Sequence, residues 1–103
     1  LGGTAFYRSL RSERETAALV LASAKLPAAD FSARSGITSA YMTGSNAWYE
    51  RIGAVPARFN RLILYSGTIP HCGDITAPER LGSDPRTGRL TLNGFFICKR
   101  SAA

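Results

Sequence analysis

A chain of 103 residues has room for one domain and buries only roughly 60–70% of the surface its unfolded form exposes. Its 45% hydrophobic and 19% charged residues argue against disorder, and no apolar run approaches the ~20 residues of a membrane span. The net charge of +6 raises nucleic acid as a partner, but the basic residues are scattered from Arg8 to Arg100 without forming a block, so a solvated surface and no nucleic-acid interface are expected. In chain order, LGGTAFYR (Leu1 to Arg8) reads as a glycine-led strand rich in β-favouring Thr4, Phe6 and Tyr7. Ser12 followed by Glu15 has the form of a capping box, and Pro27 stops the helix that runs through TAALVLASAK. That apolar stretch, Thr16 to Leu26, is too short to span a membrane, and the acidic Glu13 and Glu15 before it are unlike a signal peptide.

Residues Ala28 to Gly44 lack a period and read as loop. Ser45 is placed to cap a short helix over NAWYERI, with Trp48 and Ile52 on one apolar face and Gly53 as its stop. AVPAR is a short extended piece that Pro56 keeps at an edge. RLILYS (Arg61 to Ser66) is continuously apolar, as in a strand covered on both faces. GTIPHCGD is another short strand or turn, Thr76 to Gly88 a long loop, and Arg89 to Cys98 the last strand. Tyr41, Trp48 and Tyr49 read as packing groups and Cys98 as a small buried residue. Early helices and late strands predict an α+β or mainly β layered domain.

Two stretches carry chemistry. In GRLTLNGFF, period two sets Arg89, Thr91 and Asn93 on one strand face and Leu90 and Leu92 on the other. A guanidinium fork with a hydroxyl two residues along matches a carboxylate. Eighteen residues before Arg89 stands His71, the single histidine of the chain. A strand-closing histidine, a loop and then G-R-x-T resemble the C-terminal half of the Fe(II)/2-oxoglutarate-dependent oxygenases. LGGTAFYR and VPARFNRLILYSG are similar to further blocks of that family, and an uncharacterised bacterial branch with a GGT-led strand is the nearest likeness. The resemblance implies a mainly β fold with short helices: a partial double-stranded β-helix, jelly-roll or cupin-like, with its N-terminal strands missing. Residues 1–103 would then be one partial domain, the C-terminal half of the barrel in about five strands, with a helical insertion at about 12–53. It further implies Fe(II) and 2-oxoglutarate as cofactors, His71 as a metal ligand, and Arg89 with Thr91 as the co-substrate's carboxylate site.

The chain departs from that pattern. The family's other iron ligands, a His-x-Asp or His-x-Glu pair, precede the GGT strand, and one imidazole does not hold iron usefully. Asp74 is a conceivable carboxylate, although loop solvation accounts for it. Cys72 is set aside as ligand or nucleophile because neighbours on a strand face opposite ways. A start at Leu-Gly-Gly rather than methionine fits a piece of something longer. The chain by itself is therefore expected to be inactive, with no catalytic residue assigned, and its substrate is unknown. A metal-free module binding a small carboxylate is the alternative. Bare strand edges would favour self-association, and two cysteines without metal-ligand spacing fit a reduced, cytoplasmic setting.

Overall fold

The computed structural model describes residues 2–101, so Leu1 of the first strand segment lies outside the described residues. Its sheet is built on β1 (Thr4–Ser9), which lies between β2 (Tyr49–Val55) and β3 (His71–Gly73), both antiparallel to it. Phe6 faces Gly53 on one side and His71 on the other. The next pair along is Tyr7 with Arg51, so Ile52 is the extra residue of a bulge. Two glycines enter β1 because the flanking backbones crowd it. A methyl group on Gly2 would overlap the Asp74 carbonyl, and one on Gly3 the Val55 carbonyl.

Helix α1 (Glu13–Lys25) starts where the sequence places it: Ser12 Oγ accepts from Glu15 N at 3.2 Å. Glu13 and Glu15 in its first turn and Lys25 in its last suit the helix dipole. Ser9 Oγ lies 2.7 Å from Thr16 Oγ1 and joins β1 to this helix. The expected loop at Ala28 to Gly44 is instead opened by a second helix, α2 (Ala28–Ser35). Pro27 ends one helix and enters the next, and Gly36, at φ 76°, closes α2 in the left-handed conformation. No α2 side chain is buried, which is why no apolar period marks it.

The helix expected at Ser45 to Ile52 is a turn leading into β2. Asn46 Oδ1 accepts from the backbone N–H of both Trp48 and Tyr49 at 2.8 Å, an Asx turn. Ser45 Oγ accepts from Arg51 N at 2.9 Å, so the expected cap serves a strand. Trp48 is pinned by its indole N–H to Ser35 O (3.0 Å) and by the Arg11 guanidinium 4.5 Å above its ring.

The jelly roll is overturned. A jelly roll needs two facing sheets, and the described residues form a single three-stranded sheet, with strands of 6, 7 and 3 residues beside helices of 13 and 8. The expected strands at Arg61 to Ser66 and Arg89 to Cys98 form no regular element and enter no ladder. In the first, Ile63 and Tyr65 turn toward the sheet while Leu62 and Leu64 stay in solvent. In the second, Leu92, Phe95 and Ile97 are almost fully exposed, and Cys98, expected to be buried, is exposed. The radius of gyration, 16.2 Å against about 13 Å for a compact chain of this length, reflects these projecting segments. The buried apolar core is correspondingly small: Ala5, Tyr7, Leu19 and Ile75. Among the described residues no helix is long and apolar enough to cross a membrane.

Candidate functional site

His71 opens β3 directly after Pro70, whose carbonyl accepts from Tyr7 N at 2.9 Å and so anchors the strand start to β1. The imidazole Nδ1 lies 2.6 Å from Ile69 O. A carbonyl only accepts, so Nδ1 carries the proton and Nε2 of the neutral ring keeps its lone pair. Tyr65 meets the ring edge-on, with centroids 4.8 Å apart, and Phe6 lies 6.4 Å away. These two aromatics fix the plane of a side chain that is otherwise exposed.

Arg89 reaches the two residues that lead into β1. Its Nε donates to Gly2 O at 3.0 Å and its Nη2 to Gly3 O at 3.2 Å. A Cβ on Gly73 would point to the His71 face of β3, since the two residues are two apart, and it would meet Ile75 Cδ1 at 3.2 Å and Arg89 Nη2 at 4.0 Å. His71 and the Arg89 guanidinium therefore lie on one side of β3, and among the described residues no second sheet stands opposite. Arg89 spends one edge of its fork on backbone carbonyls, which makes it a tether between the chain's beginning and its last segment. Thr91 lies beyond, exposed, and its hydroxyl accepts from Asn93 Nδ2 at 3.3 Å.

Asp74 is occupied. Arg51 grips it through Nη1 at 2.8 Å and Nη2 at 3.0 Å, while Nη1 also donates to Thr43 O at 3.0 Å. The guanidinium hydrogen bonds hold the Asp74 carboxyl below its ordinary range, and the carboxylate raises Arg51 in return. No sequence signal pairs residues 51 and 74; the bulge at Ile52 places Arg51 opposite Tyr7. Because the native pKa is depressed, the pair's stabilisation is present above the unfolded carboxyl value (~4) and fades as pH falls through the lower native one. Asp74→Asn is expected to destabilise the chain at neutral pH and to make its stability fall less steeply on acidification, as read by urea melts at several pH values. An unchanged acid limb would assign that limb to other carboxylates.

Cys72 lies on the opposite side of β3 from His71, where its thiol donates to Met42 O at 3.4 Å. Tyr7 OH donates to the same carbonyl at 3.0 Å. Burial, with Cys72 beside it, pushes the Tyr7 phenol upward. On the His71 side an open apolar groove of about 560 Å³ is lined by Phe6, β2 residues from Ile52 to Val55, Ile63 to Tyr65, and Ile69. Among the described residues no three His, Cys, Asp or Glu side chains come together as a metal site. No curated protein and no solved structure matches the chain. Residues 1–96, a range that takes in the exposed apolar segment as far as Phe96, match DUF6445, a family of unknown function, and the chain belongs to that family.

Proposed function

We propose that the chain supplies one imidazole, His71, to the iron of an Fe(II)/2-oxoglutarate-dependent oxygenase-like protein, the other ligands coming from outside residues 2–101. The supporting observation is the 2.6 Å approach of Nδ1 to Ile69 O, which leaves Nε2 as the lone-pair nitrogen of a ring steadied by Tyr65 and Phe6. Metal-binding histidines are oriented in this way, with the second ring nitrogen held by a carbonyl. The donor set present is one imidazole, so the described residues do not fit an iron site by themselves. Iron and 2-oxoglutarate, when bound, supply the oxidising chemistry; the chain's part is to hold the imidazole and to keep Arg89 on the same side of β3. Arg89 has its remaining N–H groups for a co-substrate carboxylate, beside Thr91. The reading places the protein in the cytoplasm, where Cys72 and Cys98 stay as thiols.

Co(II), a paramagnetic and redox-stable stand-in for Fe(II), tests the reading. Titrated into the chain, it is expected to bind weakly and to broaden amide signals around β3 and Tyr65, an effect lost in His71→Ala. Broadening centred elsewhere, or unchanged in His71→Ala, would overturn it. With Fe(II), ascorbate and 2-oxoglutarate, the chain alone is expected to form no succinate above a protein-free control.

A further inference from the structure

We propose that a second copy of this chain covers its bare apolar surface by reciprocal strand exchange: the unpaired segment Leu90–Ile97 of each copy lies in the groove of the other and adds to the outer edge of β2 at Ile52–Val55. This holds whether or not His71 takes a metal. The segment is anchored at its base by Arg89 and then leaves its own chain. Among the described residues, no backbone hydrogen bond joins residues 90–101 to anything else. Phe95 is 94% exposed and Ile97 likewise, so no intrachain surface covers them. A strand that carries apolar side chains on both faces and unmet backbone donors is a ready template for a partner strand.

The complementary feature is on the same molecule. Among the described residues β2 is paired with β1 alone; on its outer side Asn46 N and Ser45 Oγ take up Tyr49 O and Arg51 N, and the edge is open beyond them, from Ile52 to Val55. The groove of about 560 Å³ beside it is mainly apolar, from Phe6 and Val55 to Ile63 and Ile69. Each copy thus offers one segment and one groove, and a two-fold axis satisfies both at once, closing the assembly at two copies.

The area is sufficient. Phe59, Leu62 and Leu64 are exposed alongside Leu90, Leu92 and the Phe95–Ile97 run. At roughly 60–120 Å² of apolar surface per side chain these eight offer about 500–950 Å², a range that includes the ~800 Å² per partner of a stable interface. They also exceed the apolar patch, a few hundred Å², that monomeric proteins usually tolerate.

Sedimentation over a wide concentration range tests the proposal, together with the variants Phe95→Lys and Ile52→Lys, both at exposed positions whose change leaves the chain's own small core untouched. The expected result is a dimer for the native chain and a monomer with unchanged far-UV circular dichroism for each variant. A nitroxide on Cys98, with Cys72→Ser to leave one thiol, is expected to broaden Ile52, Val55 and Ile63 signals of an unlabelled-spin, isotope-labelled partner in mixed dimers. A native monomer at all concentrations, open-ended polymers, a dimer indifferent to Phe95→Lys, or intermolecular broadening away from β2 would each overturn it.

Discussion

Tyr7→Ala is expected to leave the chain largely unfolded. Tyr7 sits on the central strand, 2% exposed, and is the largest side chain of a core that otherwise holds Ala5, Leu19 and Ile75. Truncating a buried aromatic costs about 3–5 kcal/mol, which rivals the lower end of the ~5–15 kcal/mol that holds a typical domain folded. Tyr7→Phe separates packing from hydrogen bonding. It keeps the ring and loses the bond to Met42 O, whose carbonyl retains the Cys72 thiol as a donor. Its cost is expected at about 0.5–1.5 kcal/mol. Urea unfolding followed by circular dichroism reads both. Equal losses in the two variants would mean that the hydroxyl, and not the ring, holds the centre of the sheet.

Gly3→Ala is expected to be as damaging, through a different cause. The added methyl group meets the Val55 carbonyl, with Ala57 N at 2.7 Å and Pro56 C at 2.8 Å. All three are backbone atoms, so no side-chain rotation relieves the overlap, and β1 must part from β2. The cost is expected at or above the top of the ~1–3 kcal/mol range of overpacked sites. Gly53→Ala is the control: it lies opposite Phe6, its Cβ position is open space, and its effect is expected below about 1 kcal/mol. Loss of stability at Gly53 and none at Gly3 would contradict the close strand approach that the double glycine permits.

Legibility in the sequence followed how local the determinants are. Helix α1 is written in Ser12 and Pro27 at its two ends; Ser12 caps it as expected, while the Glu15 carboxylate lies against Arg11. The strand expected over Leu1 to Arg8 is found at Thr4–Ser9, plain from its composition. α2 escaped because it buries nothing, so its only marks are Pro27 and Gly36. β2 was misread as a helix because Trp48 and Ile52 have helical spacing; pairing with β1 over some forty residues outweighs that local pattern, and Asn46 supplies the turn. The jelly roll failed for a physical reason too. Apolar runs at Leu62 to Tyr65 and Leu90 to Ile97 have strand composition, but composition does not provide a partner strand. Of the site, the period-two argument set Arg89 on a carboxylate-binding strand face, but that strand does not form, and Gly2 and Gly3, at the other end of the chain, take up two of its donors. The hold of Ile69 on His71, and of Arg51 on Asp74, depends on turns and a bulge that no motif encodes.

The claim that His71 offers Nε2 to a metal rests on its tautomer, and nitrogen NMR of the single imidazole reads that directly. With the ring neutral, long-range proton–nitrogen correlations are expected to show Nδ1 as the protonated nitrogen and Nε2 as the bare one, and Co(II) is expected to perturb the Nε2 side first. A ring protonated at Nε2, or two tautomers in fast exchange at comparable populations, would contradict the Ile69 hydrogen bond and with it the assignment of His71 as a ligand.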